Sequence, residues 1–131
     1  MVKEGINGKE QVLLCVNASI KKKAKGLIIL NVKELSSFAD YFIICSGTSD
    51  RQVQAIAASI QEILKEHGIL PLGIEGERLG KWVLIDYEDV IIHVFYEPVR
   101  EFYDIERLWS DAPCMKLSDE VTELTALDKG I

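Results

Sequence analysis

The sequence predicts a single α/β domain, a mixed five-stranded sheet in the element order αββαβββα with its helices mainly on one face. Three observations lead there. The stretch Trp82 to Tyr96, WVLIDYEDVIIHVFY, aligns on itself as an antiparallel hairpin. Val53, Ile56, Ala57, Ile60 and Leu64 recur at the spacing of one helix face. Between polar or glycine-rich links lie short runs rich in branched residues, of strand rather than helix length. With 131 residues, 48% hydrophobic and 27% charged, the chain is long enough to bury a core without disulfides or metal.

In chain order, Asn7 followed by Glu10 has the spacing of a capping box, and Val12, Leu13, Val16 and Ile20 line one side of the helix it starts. Gly26 is expected to end it. Leu27 to Val32 reads as a strand covered on both faces, and after a polar link Tyr41 to Cys45 reads as a second. Ser46-Gly47-Thr48-Ser49 then turns the chain into the clearest helix, capped by Ser49 or Asp50 and stopped by Gly68. A third strand is expected over Ile69 to Leu72, followed by a charged loop punctuated by Gly73, Gly76 and Gly80. After the hairpin, Pro98 suits the first turn of a third helix with Phe102, Ile105, Leu108 and Trp109 as its apolar stripe. The domain is expected to span residues 1–112, with 113–131 a tail that is mobile or forms a short helix.

The hairpin has two unlike faces. With its turn centred on Glu88-Asp89, or in a four-residue loop from Tyr87 to Val90, the register pairs Asp86 with Ile91 and Trp82 with Phe95. Side chains alternate along a strand, so Val83, Ile85, Ile92 and Val94 share one face. Trp82, Leu84, Asp86, Ile91, His93 and Phe95 share the other. A slip of one residue would bury His93 and Asp86 among the aliphatics. Three helices cannot seal both faces of such a sheet, so the aromatic side is expected to stay partly open as a recognition surface.

The formal charge of −6 disfavours nucleic-acid binding through phosphates and favours a basic protein partner. The run Lys21-Lys22-Lys23 with Lys25 reads most simply as a helix end complementing the dipole. Cys15, Cys45 and Cys114 are odd in number and lack metal-ligand spacing, so neither a disulfide framework nor a zinc site is expected. With no signal peptide or membrane span evident, a cytoplasmic protein is expected.

Each catalytic constellation has a plainer rival. The Ser46–Ser49 turn could cradle a phosphate but lacks the lysine and glycine spacing of a P-loop. A nucleotidyltransferase would pair that turn with Asp86-x-Glu88 around two magnesium ions, yet those acids sit where a hairpin turns and a third carboxylate has no candidate. Ser46, His93 and Asp86 do not have the arrangement of a triad. No cofactor or metal is indicated, and a binding protein is the preferred class over an enzyme.

Asp40-Tyr41-Phe42-Ile43-Ile44, Ser46-Gly47-Thr48-Ser49-x-Arg51-Gln52-Val53, Pro71-x-Gly73-x-Glu75-Gly76, Gly80-x-Trp82-Val83-Leu84-x-Asp86, Asp89-Val90-Ile91-x-His93-Val94-Phe95 and Arg100-x-Phe102-Tyr103-x-x-Glu106-x-Leu108-Trp109 follow one another in order. Together they resemble the ribosomal silencing factor, or iojap-like, family. That resemblance implies a nucleotidyltransferase-like fold without catalysis. Its members dock on the large ribosomal subunit through its protein fourteen, block joining of the small subunit and repress translation when nutrients are short, while organellar relatives act in ribosome assembly. The chain shows nothing like the transit peptide of those relatives, so the bacterial version is the closer likeness. Trp82, Leu84, Asp86, His93 and Phe95, edged by Glu75 and Arg100, are the expected partner-binding residues. An exposed apolar face would also suit a homodimer.

Overall fold

The computed structural model describes residues 6–131. Helix α1, Gly8–Lys21, starts at the expected capping box: the Asn7 side chain accepts the Glu10 N–H at 2.9 Å and the Glu10 carboxylate reaches back to the Asn7 N–H at 3.5 Å. It ends before Gly26. Lys22 caps the helix, Lys23 takes a left-handed φ of 63°, and Gly26 instead belongs to strand β1, Lys25–Asn31. Strand β2, Tyr41–Gly47, is buried along its whole length, as a central strand covered on both faces must be.

Helix α2, Asp50–Glu66, begins at Ser49, whose hydroxyl accepts the Gln52 N–H at 3.1 Å. Its end displaces the expected third strand. The Ile69 N–H returns to Leu64 O and the Gly68 N–H to Lys65 O, both at 2.9 Å, with Gly68 at φ 76°. Ile69 is therefore consumed in closing the helix, where it buries beside Leu64. Pairing starts four residues later than expected, and β3 is Gly73–Glu75.

Strands β4, Trp82–Asp86, and β5, Val90–Tyr96, form the hairpin in the expected register from Trp82↔Phe95 to Asp86↔Ile91. The ladder's last pair is Asp86↔Ile91, which leaves the four residues from Tyr87 to Val90 as the loop. Tyr87 N–H bonds Val90 O at 2.9 Å, Glu88 takes φ 76°, and Asp86 Oδ1 accepts the Glu88 N–H at 2.7 Å. That side-chain bond supports an otherwise poor turn residue.

The third helix is shorter than its stripe suggested. Helix α3, Glu97–Tyr103, stops where Asp104 turns left-handed at φ 44°, and a separate 3₁₀ turn spans Ile105–Trp109. Breaking the helix rotates its two halves apart. Ile105 and Trp109 still pack on the sheet, while Phe102 and Leu108 are 80% and 77% exposed.

The sheet has six strands rather than five, in the order β3-β4-β5-β2-β1-β6. The added strand β6, Cys114–Lys116, pairs antiparallel with β1 and comes from the segment expected to be a tail. Nor does 117–131 form a helix. Leu117, Leu124 and Leu127 pack on the main core, Ile131 is buried, and Asn17 exchanges two 2.8 Å bonds with the Leu124 backbone. The signal was weak because β6 is three residues long, and a side chain on α1 supplies partners that helical hydrogen bonds would have supplied.

Among the described residues only β2 and β5 run parallel. Helices α1 and α2 lie together on one face, where the Ser59 hydroxyl donates to Ala18 O at 2.9 Å. The main core forms there, from Val12, Val16, Val53, Ile56 and Ile60 against Ile43, Val83, Ile85, Ile92 and Val94. On the other face α3 and the 3₁₀ turn cover a smaller cluster built on Ile28, Leu30, Phe42, Ile44 and Phe95.

Candidate functional site

The hairpin's aromatic face lies on this second side, which its cover only partly spans. Trp82 is half-buried, with ring centroids 4.8 Å from Phe95, 6.0 Å from His93 and 5.1 Å from Tyr103. Phe102 stands edge-on to Tyr103 at 5.0 Å, extending the aromatic run outward along α3. Below, His93 stacks on Phe95 at 6.1 Å and meets the Phe42 edge at 5.7 Å.

Of the seven expected contact residues, four share an open surface. Trp82, Leu84 and Asp86 are partly exposed along β4, and the exposed Glu75 sits across from Leu84 on the edge strand. Strand β3 is held close by Gly76, at φ 85°, where any Cβ would overlap the Trp82 carbonyl oxygen.

The other three lie beneath that surface rather than on it. Phe95 is 0% exposed, since β5 runs between β4 and β2 under α3. His93 is 8% exposed, and its Nδ1 accepts the Trp82 Nε1–H at 3.1 Å, which places its own proton on Nε2. Burial pushes the His93 imidazole down to about 4, so at neutral pH it is an uncharged acceptor that fixes the indole. Arg100 faces inward: Nη1 donates to the Ser46 hydroxyl at 2.8 Å, and Nε and Nη2 donate to the Glu106 carboxylate at 3.3 and 3.1 Å. It ties α3, β2 and the 3₁₀ turn together.

Tyr103, Phe102 and Leu108 are the surface residues that the sequence reading left out. Helical spacing assigned Phe102 and Leu108 to a buried stripe. The usable signal was Asp104 itself, one of the few side chains that tolerates left-handed backbone and so can end a helix.

The phosphate-binding alternative meets an occupied turn. Thr48 donates both its N–H and its hydroxyl to Gln52 Oε1, at 2.7 and 3.0 Å, and the Ser46 hydroxyl takes Arg100. Asp86 is engaged in its own hairpin turn. Among the described residues no three His, Cys, Asp or Glu side chains converge on a metal-sized site.

Residues 6–129 match the family described as ribosomal silencing factor during starvation. The chain belongs to the ribosomal silencing factor family. It is 42% identical over 117 residues to the silencing factor of Halalkalibacterium halodurans, covering 89% of this chain and 100% of that one. It is 41% identical over 112 residues to that of Bacillus subtilis, 86% of this chain and 95% of that one. A crystal structure from Chromobacterium violaceum superposes with a TM-score of 0.76 at 42% identity, over 77% of this chain and 84% of that one. The family match runs through β6 and beyond, well past Trp109 where the quoted motifs end. These silencing factors carry regulatory rather than enzymatic names.

Proposed function

We propose that this chain represses translation in the cytoplasm by docking the Trp82 face on the large ribosomal subunit, through its protein fourteen, so that the small subunit is sterically kept from joining when nutrients are short. Family membership supports the regulatory reading. The observation that carries the choice of face is Trp82 itself, a large aromatic held by a buried histidine and a buried phenylalanine yet left open to water. An anchored, pre-oriented indole loses little freedom on binding and makes a suitable hot spot. Leu84 and Tyr103 beside it provide apolar area, and Glu75 and Asp86 supply charge opposite to that of a basic ribosomal protein.

Binding of purified large subunits to wild type and to Trp82→Ala tests the face, with thermal melting to establish that the variant is folded. The expected loss is at least about 2 kcal/mol, roughly thirtyfold in Kd. Unchanged affinity in a folded variant would rule the face out. Failure of the wild type to bind, or to slow subunit joining in a light-scattering assay, would rule out the function. Sedimentation of the free protein decides whether the same face makes a homodimer; if it does, adding large subunits should dissociate it.

A further inference from the structure

One charged feature lies outside the Trp82 face. Lys21, Lys22, Lys23 and Lys25 project where α1 gives way to β1, all exposed. Only Lys21 lies in the last turn of the helix, so the dipole accounts for a fraction of this charge. Among the described residues none of the four, nor the exposed Arg51 in the first turn of α2, has a carboxylate within ion-pair distance. Acids lie close without pairing to them: Asp119, which accepts the Gly26 N–H at 2.8 Å, and Glu120 line a cleft with Lys21, Lys23 and Lys25, while Glu97, Glu101, Asp104 and Glu106, the last paired with Arg100, line another beside Lys25. On a chain of net charge −6, five cations without an ion-pair partner among the described residues gather where α1 ends and α2 begins.

The lysine turn is pinned in place, and Lys25 shares the aromatic face. Gln52 Nε2 donates to both Lys22 O and Lys23 O at 3.0 Å, pinning the lysine turn to α2. In β1 the pairing jumps from Lys25↔Ser46 to Ile28↔Ile44, one residue more on β1 than on β2. That extra residue is a bulge, and it turns Lys25 onto the face that carries Ile28, Ile44 and Ser46. A single cross-sheet row thus reads Trp82, Phe95, Ser46, Lys25. Three strand spacings separate its ends, roughly 14 Å.

We infer that this corner is a second contact, for the phosphate backbone of ribosomal RNA bordering the protein that Trp82 engages. It rests on the docking proposed above and adds the class of the neighbouring partner. Lysines suit the task as flexible point charges for phosphate. A membrane surface fits less well, because the only apolar residue among positions 21–25, Ala24, is buried and leaves nothing to insert.

The test is the triple variant Lys21→Gln, Lys22→Gln, Lys25→Gln, which leaves the left-handed Lys23 in place; its melting temperature should equal that of wild type. On whole large subunits the slope of log K against log salt should become shallower by about two to three, with weaker binding at low salt. Affinity for isolated large-subunit protein fourteen should not change. RNA extracted from large subunits should retain wild type weakly at low salt and should not retain the variant. An unaltered salt slope on subunits overturns the inference. So does an equal loss on the isolated protein, or retention of wild type by phosphatidylserine vesicles but not by RNA. Should wild type fail to bind subunits, the docking reading falls, and the extracted-RNA titration alone decides whether the corner binds RNA.

Discussion

On the α1/α2 side of the sheet, Val83, Ile85, Ile92 and Val94 are each 0% exposed beneath two long helices. On the other side of the same strands, one short helix and a 3₁₀ turn cover Phe95 and His93 but leave Trp82 and Leu84 half open. Period-two alternation makes both surfaces from one hairpin. On the docking proposed above, stability and recognition should be altered separately, depending on which parity of residue is changed.

The sealed face should show the largest effect. Ile92→Ala deletes a fully buried side chain at the centre of the main core, at an expected cost of about 2–5 kcal/mol. Thermal or urea melts should show it, while the fraction still folded binds large subunits as wild type does. A loss of intrinsic affinity as large as the loss of stability would mean the two faces are not separable.

Beneath the open face, His93 should make stability pH-dependent. Its folded value of about 4 lies below the ordinary 6.5, with burial as the cause. The unfolded chain therefore binds more protons, and stability falls as pH drops from about 6.5 toward 4, then levels off below that range for this group. The full effect is on the order of 3 kcal/mol. His93→Gln keeps an acceptor for the Trp82 N–H without a titrating ring. Melts at pH 7 and pH 4.5 should differ less for the variant than for wild type, and an equal difference would dismiss His93 as the source.

The sealed side was readable because its signals repeat. Val53, Ile56, Ile60 and Leu64 mark α2 four times over, and the hairpin register is fixed by a penalty for every wrongly buried polar group. The open side depends on single residues without redundancy. Asp104 in a left-handed conformation breaks α3 and exposes Phe102, and a one-residue bulge in β1 redirects Lys25. Neither follows from a hydrophobic pattern. Trp82, Leu84 and Asp86 could be placed together from alternation, whereas Glu75 was expected in a loop and joins them through β3. That Phe95, His93 and Arg100 would support from below required knowing what α3 covers. β6 was lost for a related reason: its pairing partner β1 is more than eighty residues away in sequence, and three residues carry no period.

The smallest expected change in stability is also the sharpest test of the division. Phe102 is 80% exposed and stands edge-on to the Tyr103 ring. Phe102→Ser removes an aromatic from the rim and leaves the core intact, so stability should move by no more than about 0.5 kcal/mol. If the partner covers the aromatic run as far as α3, affinity for large subunits should fall by about 1 kcal/mol, roughly fivefold. An unchanged affinity would confine the docking surface to β4 and its edge, whereas a drop in melting temperature of several degrees would show that Phe102 supports the fold after all. Because Trp82→Ala removes the anchor and Phe102→Ser only its neighbour, the ratio of the two losses measures how far the contact extends from the sheet onto the helix.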